Sequence, residues 1–111
     1  DKVELIDYKT GKPKEKMDPK KEETLQLRMY QLALMQDKRF SKKNFTLSYY
    51  FLTNGAKISF EVDKEGLTAT EEYVKALCEG IEKSDFTATP SPFICGTCDF
   101  FDICQFRVEK R

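Results

Sequence analysis

The sequence predicts an α/β chain of the α+β kind, a small mixed β-sheet flanked by helices. Three features predict it: a strand-like run at the start, a helically spaced run after it, and two further strand-like runs joined by Asn54-Gly55. Elements in that order bury their apolar faces best as helices layered on a sheet. At 111 residues the chain is one domain at most. Nine Phe and five Tyr supply apolar bulk for one modest core.

The first strand is expected over residues 3–9, VELIDYK, where Val3, Leu5 and Ile6 are apolar and Thr10-Gly11-Lys12-Pro13 ends the run. Residues 10–21 are polar and Lys-rich, carry Pro13 and Pro19, and read as a mobile loop. From Glu22 to about Asp37 the spacing is helical. Leu25, Met29, Leu32 and Gln36 share one line, with Gln26, Tyr30, Ala33 and Leu34 beside it. The segment has neither Gly nor Pro, and Glu22 and Glu23 suit the positive end of the helix dipole.

Residues 45–53 are aromatic and β-branched, and residues 57–63 alternate Ile58, Phe60 and Val62 with polar partners. Asn54-Gly55 between them predicts a hairpin closed by a tight type I′ turn. Helical spacing returns over 67–83 through Val74, Leu77, Cys78 and Ile81, with Gly66 marking the start. Pro90 and Pro92 make residues 84–94 a connector; a cysteine-rich tail follows, with a short helix expected toward Lys110.

Lys plus Arg equal Asp plus Glu at 19 each, so the net charge is zero. That excludes a histone-like binder held to nucleic acid by charge alone. Histidine is absent, which removes Ser–His–Asp and Cys–His catalysis and His-ligated zinc. No apolar run approaches the roughly 20 residues of a membrane-spanning helix. Nothing in the sequence marks an oxidising compartment; a cytoplasmic, intracellular location is expected, and the clustered cysteines read as metal or cluster ligands rather than disulfides. The chain opens on Asp1 and reads as a piece of a longer protein.

Asp7 and Lys9 are two apart on a strand and so face the same way. A carboxylate there can hold a divalent cation, and an ammonium beside it can stabilise a phosphate oxyanion. Alone the pair says little: Asp18-Pro19-Lys20 repeats the spacing in a loop. Its place after an apolar run and before Thr10-Gly11 gives it weight, since glycine allows close backbone approach to a ligand. Gln26 and Tyr30, four apart, share a helix face. The bland reading makes Tyr30 core and Gln26 surface.

VELIDYKTGK followed by LQLRMYQLAL resembles the PD-(D/E)XK nuclease superfamily, in particular its RecB-type branch, from about Val3 to Cys104. The resemblance implies a restriction-endonuclease-like core over 1–84, a cysteine-rich tail over 85–111, and Mg²⁺- or Mn²⁺-dependent hydrolysis of DNA phosphodiesters, as exonuclease or endonuclease. By the same resemblance Asp7 is the metal-binding acid, Lys9 the catalytic lysine, and the Tyr8 carbonyl a further metal ligand. Gln26 and Tyr30 are the helix pair that positions DNA and the active site. The family has another essential Asp on a preceding strand. This chain holds no equivalent, so the domain is expected to be truncated on its N-terminal side and inactive alone.

Cys95-x2-Cys98-x5-Cys104 supplies three thiolates, one short of a tetrahedral set. Cys78 is the fourth within the chain, and its bland reading is a buried core thiol. Some RecB-type nucleases, AddB-like subunits and CRISPR-associated relatives among them, carry a [4Fe–4S] cluster with three cysteines at this end. The resemblance implies that role for Cys95, Cys98 and Cys104, with the fourth ligand upstream. It also implies a helicase partner in the same chain or complex and a DNA repair or recombination setting. Lys12, Lys14 and Lys16 in the lysine loop are candidates for touching the DNA backbone. Two other classes compete: a non-catalytic DNA-binding module, and a small zinc-binding interaction domain using all four cysteines.

Overall fold

A computed structural model describes residues 1–109. The chain forms two compact units, Asp1–Leu77 and Cys78–Arg111. In the first, strand β1 (Lys2–Lys9) leads through the loop and a 3₁₀ turn (Glu22–Thr24) into helix α1 (Leu25–Met35). Strands β2 (Asn44–Phe51) and β3 (Ala56–Phe60) follow, then helix α2 (Lys64–Glu82), whose last turns, from Cys78, belong to the second unit. β1 pairs parallel with β2, and β2 antiparallel with β3, in the order β1-β2-β3. The sheet is small and mixed, as predicted. Parallel pairing needs a crossover, and the loop with α1 supplies it.

The core lies between α1 and one face of the sheet. Leu27 of α1 packs with Leu47, Tyr49 and Phe51 of β2, and Leu5, Met17, Ile58, Phe60 and Val62 close around them. Strand alternation therefore puts Val3, Leu5, Asp7 and Lys9 on the helix-covered face, and Glu4, Ile6 and Tyr8 on the other. On that second face Ser48 joins Glu4 and Ser59 (2.8 Å each), and Lys57 pairs with Glu4 at 3.1 Å.

Four details differ from the sequence reading. The deeply buried stripe of α1 is Leu27, Arg28 and Gln31, continued by Thr24 of the turn before it, whereas Met29 on the expected apolar line is 41% exposed. Apolar residues surround this helix, so hydrophobicity alone does not select a face. Arg28 is buried because it donates to Thr24 Oγ1, Thr70 Oγ1 and the Lys21 carbonyl. The hairpin loop has four residues, Leu52 to Gly55, because Phe51 pairs with Ala56. Within it only Gly55 has positive φ, 71°, so the type I′ turn is absent. Residues 10–21 lack regular structure but are tied down: Met17 packs on the core, and Glu23 accepts from Lys14 Nζ at 2.8 Å and from the Asp18 N–H at 3.0 Å. Finally, α2 begins at Lys64, before Gly66, because Asp63 Oδ1 caps it by accepting from the Gly66 N–H at 2.7 Å.

In the second unit a short helix, α3 (Pro92–Cys95), starts where Ser91 Oγ accepts from the Ile94 N–H, and a 3₁₀ turn covers Phe101–Ile103. The expected end of the tail helix at Lys110 lies outside the described residues. Among those described, no helix is long and apolar enough to cross a membrane.

Candidate active site

β1 delivers Asp7 and Lys9 side by side at its C-terminal end. Lys9 Nζ lies 2.8 Å from Asp7 Oδ2. Oδ2 is buried and accepts no hydrogen bond among the described residues, so the ammonium approaches it outside hydrogen-bonding geometry. The contact is coulombic, and the exposed part of the Asp7 side chain (26%) is contributed by its other atoms.

Beneath this pair lies Tyr49, paired in register with Asp7 and fully buried. Lys9 Nζ stands over its ring, 5.4 Å from the centroid. The Tyr49 hydroxyl donates to the Glu23 carbonyl at 3.2 Å, joining β2 to the turn that starts α1. Burial, then the nearby Asp7 charge, raises the Tyr49 hydroxyl above its usual pKa of 10.0. The Glu23 carboxyl is held below 4.5, first by Lys14 and then by the Asp18 N–H.

The Tyr8 carbonyl is also well placed. The Asp1 and Lys9 carbonyls accept from the Asn44 and Leu52 N–H groups at 3.2 and 2.9 Å. Strand carbonyls alternate sides, so the Tyr8 carbonyl points away from β2 toward the outer edge of β1.

Gln26 and Tyr30 meet on the outer surface of α1, where Gln26 Nε2 donates to Tyr30 Oη at 3.0 Å. Tyr30 is 49% exposed, which overturns its reading as a core residue. No hydrogen bond or ion pair among the described residues joins this pair to Asp7 or Lys9; the two pairs are related through the packing of α1 on the sheet. Lys12 and Lys16 are exposed, and Lys14 is engaged with Glu23. A cavity of about 590 Å³, lined in part by Lys20, Glu22, Arg28, Asp63 and Tyr73, does not include Asp7 or Lys9. The acid–lysine pair thus sits half-buried at the C-terminal end of β1, outside that cavity.

The cysteines are dispersed in character. Cys95 is buried, with its Sγ accepting from the Val108 N–H at 3.5 Å, whereas Cys98 is exposed and Cys104 half-buried. Cys78 is exposed, which corrects its reading as a core thiol: its neighbours on the helix face, Leu77 and Ile81, are exposed too. Among the described residues no three His, Cys, Asp or Glu side chains gather to hold a metal. The tail as folded does not fit a cluster or a four-cysteine zinc site. A hard cation fits better, in part: one carboxylate and one carbonyl directed to the outer edge of β1 are oxygen donors of the kind Mg²⁺ takes, together with water and substrate phosphate.

Sequence reading missed Tyr49, Glu23 and Arg28. Tyr49 stands in an aromatic run whose members look alike until parallel pairing sets one of them opposite Asp7.

A parallel β1–β2 pair covered by the intervening helix, with an acid and a lysine at the end of β1, is consistent with a restriction-endonuclease-like fold. The family model of the PD-(D/E)XK nuclease superfamily matches residues 1–105, and the chain belongs to that superfamily. No curated protein and no solved structure matches it.

Proposed function

We propose that this chain carries the acid–lysine half of a metal-dependent DNA nuclease site of the RecB-type branch, working in a DNA repair or recombination protein alongside a helicase. The observation that carries the reading is the Asp7–Lys9 pair: two charges 2.8 Å apart, half-buried at the C-terminal end of a strand, in a chain of this superfamily.

Asp7 and the Tyr8 carbonyl would hold Mg²⁺ or Mn²⁺. A bound cation of this kind polarises the scissile phosphate and lowers the pKa of an attacking water. Lys9 brings a fixed positive charge to the phosphate oxygens, where negative charge grows in the transition state. Gln26 and Tyr30 present a hydrogen-bonded pair to the nucleic acid from the exposed side of α1. The net charge of zero fits an enzyme whose hold on DNA depends on a cation rather than on a basic surface.

The Fe–S assignment of Cys95, Cys98 and Cys104 rests on their spacing and on the resemblance to Fe–S nucleases of the RecB type. It requires the tail to rearrange, because the Cys95 thiol is already buried against Val108.

The test is cleavage of end-labelled DNA by the full-length protein with Mg²⁺, Mn²⁺ or EDTA. Metal-dependent cleavage that falls about 10²–10³-fold in Lys9→Ala, the cost of removing one preorganised charge-stabilising group, supports the reading. Cleavage unaffected by Lys9→Ala, or none under any metal, ends it.

A further inference from the structure

We propose that Tyr49 is a positioning residue for Lys9, its ring being the platform that holds the ammonium beside Asp7; this deepens the nuclease reading and rests on it. A lysine side chain is a flexible four-carbon stem ending in a compact charge. Its one ionic partner among the described residues, Asp7 Oδ2, contacts it outside hydrogen-bonding geometry and so fixes its direction poorly. A second constraint is needed, and the ring of Tyr49 is the group found there, with Lys9 Nζ 5.4 Å from its centroid. The negative face of an aromatic ring attracts a cation from that distance.

The ring is itself fixed on several sides. It stacks on Phe60 with centroids 6.1 Å apart and an interplanar angle of 23°. Its hydroxyl is tethered to the Glu23 carbonyl, and Leu27, Leu47 and Phe51 enclose it. Strand pairing sets the same residue directly opposite Asp7. One rigid side chain therefore references both members of the pair to the sheet and to the turn that begins α1. An aliphatic residue such as Leu would fill part of the same space but offer the ammonium no attraction, whereas Phe keeps both the ring and nearly all of the bulk. That difference separates positioning from packing.

The test has two arms. In nuclear magnetic resonance spectra of the chain, the Lys9 ε-protons show contacts to the Tyr49 ring protons and lie upfield of the same protons in Tyr49→Leu. Absence of both signatures overturns the proposal, and the wild-type spectra decide this even where Tyr49→Leu fails to fold. In the cleavage assay, Tyr49→Leu lowers kcat by about 2- to 5-fold with KM unchanged, the factor of a partly exposed cation–π contact. Tyr49→Phe, which keeps the ring, restores most of that loss. Equal losses in both variants, or a change confined to KM, assign Tyr49 to packing alone. A wild-type protein that does not cleave DNA would sink the nuclease reading, while the spectra still decide whether Tyr49 orients Lys9.

Discussion

At the scale of single residues, the pair Asp7 and Lys9 is legible from sequence because a period of two places them on one face whatever the fold around them. Their neighbour Tyr49 is not, since its relation to Asp7 exists only through strand register. Its buried hydroxyl makes a testable prediction about pH. A hydroxyl whose folded pKa is raised above its unfolded value contributes stability below the unfolded pKa, near 10.0, and that contribution is lost as pH climbs through the folded value. Chemical-denaturation midpoints between about pH 8 and 11 should fall more steeply in the wild type than in Tyr49→Phe, which has nothing to ionise. Parallel curves would mean that Tyr49 is not shielded as described.

At the scale of elements, α2 shows how a cap outranks a propensity. Gly66 normally argues against a helix interior, and replacing it by Ala in an open helix should gain about 1 kcal/mol. Here a Cβ would meet Val62 Cγ1 at 2.8 Å and the capping Asp63 Oδ1 at 3.0 Å. Overpacking of that kind costs about 1–3 kcal/mol, so Gly66→Ala should destabilise. Gly80→Ala, in the same helix with nothing within 4 Å, should be neutral or stabilising by up to about 1 kcal/mol. Urea unfolding of the two variants checks the opposite signs. The lysine loop behaves as an element as well, through the Glu23 clasp on Lys14 and the Asp18 N–H. Since the Glu23 carboxyl is lowered below 4.5, the clasp is in place above that pH and released as pH falls through the folded value. Proteolysis within residues 10–21 should accelerate on acidification in the wild type, and already be fast at neutral pH in Glu23→Gln.

At the scale of the whole molecule, two proposals concern partners. Removing Lys12, Lys14 and Lys16 together should weaken DNA binding and flatten its salt dependence, by about 0.9 in logarithmic slope for each duplex phosphate no longer neutralised. Lys14→Ala should account for the least of it, because Glu23 already holds that ammonium; unchanged slopes would retire the loop as a DNA-binding segment. For the tail, anaerobic purification with iron, sulfide and zinc analysis should find roughly four irons if the three cysteines serve a [4Fe–4S] cluster, and a single zinc or no metal would remove that role. The sequence by itself determined the element order, the mixed sheet, the acid–lysine pair and the Gln26–Tyr30 pairing, because side-chain periodicity in strands and helices is a local property of the backbone. Only the tertiary structure decided which stripe of α1 is buried, which aromatic lies under Lys9, that the loop is clasped, and that Cys78 is exposed. Each of these depends on residues 9 to 42 positions apart in the chain or on the face an element turns inward, and packing, not local pattern, chooses that.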